Sequence, residues 1–250
     1  MNNISFDRIA ECYDETRGGL ERGQSFMEVI DPLLAPQSDV LEIGVGTGAI
    51  ARPVVDRGHR LWGVDLSREM LTRAAGRVGR LVEGDASRLP FKADSFDSVL
   101  AIWAMHVVGD QQTLVDDIGR VLRSGGRVVI VAPRPDVELN DLSDLTYGWG
   151  RALAKPDRTA EVVELLAARG WVREAAVSTP WELSHDTPNG RASSIERREW
   201  SSLWDLDDQT WNRVIQPTID ALRALPGPDD PRPLRVRYPV TVYRMGQDAS

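Results

Sequence analysis

VLEIGVGTG occupies residues 40–48: four residues of an apolar run interrupted by one acid, Glu42, then glycines at 44, 46 and 48. An apolar run that breaks into alternating glycines reads as a strand turning tightly into a helix. Glycine supplies positive φ and lets another group approach the backbone with no Cβ in the way. Upstream, Ser25–Leu34 reads as a helix stopped by Pro36. Downstream, strand Arg60–Val64 precedes helix Ser67–Ala75, strand Gly79–Glu83 follows, strand Ser98–Trp103 precedes helix Gln111–Leu122, and strand Arg127–Ala132 closes the series. Near-continuously apolar strands alternating with helices indicate a parallel sheet covered on both faces. Residues 38–132 are therefore expected to form an α/β core.

Outside that core, Ile4–Tyr13 reads as one amphipathic helix, with Asp7, Arg8 and Glu11 opposite an apolar face. Residues 1–37 would cap the core with helices. Helix Thr159–Arg169 and strand Trp171–Ser178 add a further unit, and the near-alternating run Val236–Tyr243 reads as a final antiparallel edge strand. Two stretches break the pattern. Residues 134–157 show no convincing helical period, and 187–233 open as a polar loop, contain an amphipathic segment at Trp200–Leu225 and end in PGPDDPRP. Both are expected to be insertions on a single domain of 250 residues, forming a lid over a substrate.

Thirty basic against thirty-eight acidic residues give a net charge of −8. Such a chain repels phosphate backbones and anionic lipid in bulk, so nucleic acid is a poor partner. Cys12 is the only cysteine, which leaves no intrachain disulfide and no cysteine-rich zinc site. MNNISFDRIAECYDE lacks the basic start and apolar run of a secretory signal, and no run approaches a membrane-spanning length. A cytoplasmic protein without membrane insertion is expected.

The glycine turn allows two readings. Gly44-x-Gly46-x-x-Ala49 satisfies the loose dinucleotide fingerprint, which would seat a pyrophosphate on the following helix. The charge around the loop favours another ligand. Glu42, at the end of its strand, would repel a pyrophosphate and suit a cation. Asp65 ends the next strand, where an acid accepts from ribose hydroxyls, and Asp85 ends the one after, placed for an exocyclic adenine amine, with Ala86 N–H beside it for a ring nitrogen.

These residues resemble the class I S-adenosylmethionine-dependent methyltransferases. The resemblance is carried by Glu42-x-Gly-x-Gly-x-Gly48, Asp65 in GVDLS, Asp85 in GDASRLPF, FDSVLAIWAMHVV at 96–108 and LRSGGRVVIV at 122–131, in that order. FDRIAECYDETR near the start is similar to the N-terminal segment of the ubiquinone and menaquinone biosynthesis branch. The resemblance implies a Rossmann-like, doubly wound, mostly parallel seven-stranded sheet with S-adenosylmethionine as cofactor. It implies that Gly44, Gly46 and Gly48 lie under the amino-acid part of the cofactor, that Asp65 binds ribose, that Leu66 and Ala86 flank adenine and Asp85 contacts its amine. Tyr13 and Arg17 would approach the methionine carboxylate.

A sulfonium carries its own leaving group, so such an enzyme works mainly by alignment. His106 is the one candidate base near the cofactor; packing that positions the loop is the alternative role. The slot AIWAMH lacks the Asn/Asp-Pro-Pro-aromatic motif of amino-methylating enzymes, a Pro-Cys nucleophile and the acid and amide pairs that hold magnesium. Metal-independent O- or C-methylation of a small, partly apolar acceptor is the leading expectation. Trp103, Met105, Trp149, Trp200 and Trp204 are candidates to line the acceptor pocket, the tryptophans of the insertions serving equally well as glue within them. Other readings are a member that binds the cofactor for another reaction or for sensing, and, disfavoured by Glu42 and Asp85, a nicotinamide-dependent oxidoreductase.

Overall fold

The computed structural model describes residues 4–11, 13–153 and 158–246, and the side chains of these except at 4, 5, 8, 16, 17, 147–152 and 201. Its contacts divide the chain into two compact units: Met1–Arg134 with Asp157–Pro180 and Tyr238–Ser250, and Pro135–Pro156 with Trp181–Arg237.

The first unit is built on a seven-stranded sheet. Its strands are β1 (Asp39–Ile43), β2 (Arg60–Asp65), β3 (Leu81–Glu83), β4 (Phe96–Ile102), β5 (Leu122–Val131), β7 (Val172–Ser178) and β10 (Pro239–Arg244), in the order β3-β2-β1-β4-β5-β10-β7. The first five run parallel, with Ile43 of β1 level with Val64 of β2 and Ala101 of β4. This is the expected mostly parallel seven-stranded fold. One detail differs: β10 is antiparallel to both β5 and β7 and lies between them, so the outermost strand is β7. The reason is legible in burial. Val240 and Val242 of β10 are buried, whereas Val172 and Val177 of β7 are exposed, as an edge permits.

Helices α4 (Ala51–Asp56), α5 (Arg68–Ala74), α6 (Gln111–Val121) and α8 (Arg158–Ala168) follow the strands. Ser67 caps α5 by accepting from Met70 N–H, and Asp110 caps α6 by accepting from Thr113 N–H. The apolar face of α6, Leu114, Val115, Ile118 and Val121, joins the sheet side chains Val99, Ala101, Val128 and Ile130 in one core. Ahead of the sheet come α1 (Ile4–Ile9), α2 (Tyr13–Arg17) and α3 (Gly19–Ile30). The helix expected over Ile4–Tyr13 stops at Ile9 and a second short one starts at Tyr13, each tied to the core by its own acid: Asp7 accepts from Ser67 Oγ, and Asp14 from Thr47 Oγ1.

The second unit has a small antiparallel sheet, β6 (Asp136–Val137), β9 (Arg232–Arg237) and β8 (Glu182–Asp186) in the order β6-β9-β8, with helices α7 (Asp141–Ala152), α9 (Pro188–Glu196), α10 (Asp208–Thr210) and α11 (Gln216–Arg223). Val236–Tyr243 is therefore two strands in two sheets, parted at Tyr238. The expectation that 134–157 lacks a helix is corrected by α7. Its start is a reciprocal cap: Ser143 N–H donates to Asn140 Oδ1 at 2.9 Å and Asn140 N–H to Ser143 Oγ at 2.7 Å. Likewise the stretch read as a polar loop from Thr187 opens with α9, where Thr187 Oγ1 accepts from Gly190 N–H at 2.9 Å and Pro188 takes the first turn. The segment Trp200–Leu225 is not continuous. It breaks into a 3-10 turn (Ser201–Leu203), α10, a π-helical turn (Trp211–Ile215) and α11, because Asp207 caps a fresh start by accepting from Thr210 N–H. Leu142, Ile195, Leu203, Ile215, Ile219 and Leu222 form this unit's own core.

Candidate functional site

The carboxyl ends of β1, β2 and β4 meet at the glycine loop. Gly44, Gly46 and Gly48 all take positive φ (67°, 53° and 77°), the left-handed region that side chains resist. Their surroundings differ. A Cβ on Gly44 would stand 2.8 Å from Ala104 Cβ, and one on Gly48 would meet Ala74 Cβ at 3.3 Å, so both are packed against protein. A Cβ on Gly46 would meet nothing nearer than the Gly44 carbonyl at 3.9 Å. Gly46 therefore faces open space, and its bare backbone leaves room for a ligand.

That space is a cavity partly open to solvent, walled by Tyr13, Asp14, Arg22, Glu42, Thr47, Ile50, Ile102 and Trp103 together with Gly44 and Gly46. Glu42 is 2% exposed and its Oε2 has no hydrogen-bond partner. Burial, and then the neighbouring Asp65 carboxylate, hold its pKa well above the ordinary glutamate range. Asp65 is engaged by backbone: its Oδ2 accepts from Gly46 N–H and its Oδ1 from Ser67 N–H, each at 2.8 Å. Burial raises its pKa and these N–H donors oppose the rise.

The N-terminal segment reaches the same place. Asp14 Oδ1 accepts from Thr47 Oγ1 at 2.5 Å, its Oδ2 accepts from Arg77 Nη2 at 2.6 Å, and Arg77 Nη1 donates to the Thr47 carbonyl at 3.0 Å. This ring ties α2 to the glycine loop. On the other wall Trp103 adopts φ +55°, costly for a bulky side chain, with its indole Nε1 buried and without an acceptor. Its ring lies against Phe26 and Tyr238 at 5.5 and 5.0 Å, and the Arg22 guanidinium stacks over Trp103 and Tyr238 at 5.7 and 5.5 Å.

Of the residues singled out in the sequence, the structure brings Tyr13, Glu42, Gly44, Gly46 and Trp103 to the cavity wall, with Asp65 behind the loop. Leu66 is exposed beside Asp65; Ala86 is half-buried against the core. Asp85 is exposed, and its Oδ1 accepts from both the N–H and the hydroxyl of Ser87 at 2.8 Å. His106 is half-buried in the 3-10 turn Met105–Val107. Met105 is 2% exposed and packs into the core, away from the cavity wall. Trp200 and Trp204 belong to the second unit: Arg191 stacks over Trp200 at 5.4 Å, and Trp204 Nε1–H donates to the Arg198 carbonyl at 2.7 Å. The side chains of Arg17 and Trp149 lie outside those described. Sequence reading missed Asp14, Arg22, Thr47 and Arg77. Only Asp14 and Thr47, each adjacent in sequence to a residue that was chosen, carried any signal.

Among the described residues no group of three or more histidines, cysteines or acids is placed to hold a metal ion, and no helix is long and apolar enough to cross a membrane.

Residues 41–130 match the methyltransferase-domain family. The chain is 35% identical over 136 residues to a demethylmenaquinone methyltransferase of Tropheryma whipplei, covering 50% of this chain and 56% of that protein. It is 39% identical over 100 residues to a phosphatidylethanolamine N-methyltransferase of Cereibacter sphaeroides, covering 37% of this chain and 49% of the other. The chain thus matches about half the length of these curated relatives. Among solved structures it is similar to Haemonchus contortus phosphoethanolamine N-methyltransferase 2 in complex with phosphomonomethylethanolamine and S-adenosylhomocysteine, with a TM-score of 0.57 and 19% identity over 99% of this chain and 61% of that one. That likeness is one of fold.

Proposed function

We propose, for a chain whose residues 41–130 match the methyltransferase-domain family and which is similar to demethylmenaquinone methyltransferases, that the protein is a class I S-adenosylmethionine-dependent methyltransferase that transfers a methyl group to a small, partly apolar acceptor. The observation that carries this is the cavity beside Gly46. A backbone with no Cβ faces open space there, and a buried carboxyl, Glu42, has an oxygen that no protein group satisfies. A cationic amino-acid moiety fits that pair; a pyrophosphate does not.

When bound, the cofactor supplies an activated methyl group with its leaving group attached. The chain's residues bind and align. Asp65, already oriented by the N–H groups of Gly46 and Ser67, keeps lone pairs for ribose hydroxyls. Leu66 and Ala86 would flank the adenine and Asp85 accept from its amine; Tyr13, with Arg17, would serve the carboxylate end. Trp103 would contribute an apolar wall for the acceptor. Oxygen or carbon is favoured over nitrogen as the methylated atom, because the slot AIWAMH lacks the Asn/Asp-Pro-Pro-aromatic motif of amino-methylating enzymes. His106 is assigned either to proton removal from the acceptor or to positioning of the turn after β4.

The test is calorimetric titration with S-adenosylhomocysteine and NADH, followed by assay of S-adenosylhomocysteine formation over a panel of phenols, hydroquinones and amines. Binding of the sulfur nucleoside alone, with turnover on an oxygen or carbon acid, is the expected result. Retention of NADH alone would sink the assignment.

A further inference from the structure

We infer that ligand entry displaces a proton from Glu42: the empty site stores one proton on this carboxyl, and the α-ammonium of the cofactor takes its place. This rests on the cofactor assignment above and goes beyond it, because it makes a proton a product of the binding step.

The argument begins with geometry. Glu42 sits at the carboxyl end of β1, level with Gly63 of β2 and Leu100 of β4. It is 2% exposed, lines the cavity, and offers an oxygen that no donor reaches. A carboxylate buried without a donor or a cation is strongly disfavoured, whereas a carboxyl group in the same place needs one acceptor at most. The charged groups on the elements around it reinforce the choice. From β2, Asp65 brings a like charge. From α2, Asp14 is committed to Arg77 and Thr47, and Tyr13 lines the wall. From α3, Arg22 lays its guanidinium over the Trp103 and Tyr238 rings. From the end of β4, Ile102 and Trp103 present apolar surface. The direction of the Glu42 pKa agrees with this arrangement.

An ammonium entering the cavity reverses the balance, because an opposite charge at contact favours the ionised carboxyl. The exchange is Glu42–COOH plus ligand–NH3+ giving Glu42–COO− paired with ligand–NH3+, with the proton released to solvent. Affinity for such a ligand must therefore rise with pH, about tenfold per unit, until the carboxyl of the empty site is itself ionised. A ligand with the same nucleoside but no amino acid would gain nothing from the exchange.

The experiment titrates the full chain with S-adenosylhomocysteine at pH 7 in phosphate and in Tris, two buffers of very different ionisation enthalpy. The dependence of the observed heat on buffer gives the number of protons released. The expected result is a measurable release of up to one proton per ligand, none for 5′-methylthioadenosine, and none for either ligand in Glu42→Gln. Circular dichroism and thermal melting check that this variant is folded. Binding of S-adenosylhomocysteine with no release, or with equal release by methylthioadenosine, would overturn the inference while leaving the cofactor assignment intact. Failure of both nucleosides to bind would remove the assignment and the inference together.

Discussion

Gly46 donates its backbone N–H to Asp65 Oδ2 at 2.8 Å, so the bend between β1 and α4 is fastened by the carboxylate proposed to meet the ribose. The other oxygen of the same group holds Ser67 N–H at the start of α5. Fold and ligand therefore draw on one side chain. Asp65→Ala should lower stability by about 1–3 kcal/mol through two orphaned N–H groups, and should abolish S-adenosylhomocysteine binding. Asp65→Asn keeps one acceptor and should lie between. Urea unfolding and calorimetry measure the two effects; a destabilised variant that binds normally would remove Asp65 from the ligand site.

Gly44 and Gly46 separate packing from clearance. Alanine at either position is strained by about 1–2 kcal/mol at positive φ. At Gly44 the new methyl also meets Ala104 Cβ at 2.8 Å, while at Gly46 it enters open space. Gly44→Ala should therefore cost more in thermal unfolding, and Gly46→Ala more in affinity for S-adenosylhomocysteine relative to its loss of stability. The reverse order would show that the ligand does not approach at Gly46.

The ring of Asp14, Thr47 and Arg77 should act on retention. Asp14→Asn weakens the bond to Arg77 but leaves an acceptor for Thr47 Oγ1. Exposed or half-exposed pairs of this kind add no more than about 1 kcal/mol to stability, so the melting temperature should change little. The dissociation rate of S-adenosylhomocysteine, followed by stopped-flow fluorescence, should rise severalfold. An unchanged rate would leave the ring as a surface tie.

Glu42 also predicts how the ligand-free protein responds to pH. Its folded pKa is raised, so folding favours the protonated form. That contribution is fully present below the ordinary glutamate range and is lost as pH climbs toward the folded value. Wild type should lose stability relative to Glu42→Gln over that window, by up to about 1.4 kcal/mol per pH unit. Parallel stability curves from pH 4 to 8 would show that the carboxyl is satisfied.

For the second unit, Trp204→Phe removes the indole bond to the Arg198 carbonyl and should cost about 1 kcal/mol in unfolding. If Trp204 also touches the acceptor, the apparent KM will rise with little change in affinity for the cofactor. A KM unchanged beside reduced stability restricts the residue to packing.

The parallel core was legible because its strands are apolar throughout and its turns carry glycine, so local pattern and tertiary position agree. Glu42, Asp65 and Gly46 stood out by lying at predicted strand ends. Arg22 and Arg77 carried no comparable mark: each acts through a partner distant in sequence, as Arg77 does through Asp14, 63 positions away. Met105 sat in the right segment, but a 3-10 turn sends it into the core. Helix α7 was hidden because Asn140 and Ser143 begin it in place of a hydrophobic period, and β8 and β9 because short strands of mixed polarity resemble loops.

Thr179 and Tyr238 bind each other twice, Thr179 N–H to the Tyr238 carbonyl at 3.0 Å and Tyr238 N–H to Thr179 Oγ1 at 2.9 Å. The long excursion Trp181–Arg237 thus leaves and returns through a doorway that the large sheet keeps shut by itself. Closing a loop whose ends are already joined becomes only slowly harder with length. Such a threshold can accept passages of different size and composition, provided Pro135–Pro156 is exchanged along with them, while the cavity beside Gly46 keeps its frame.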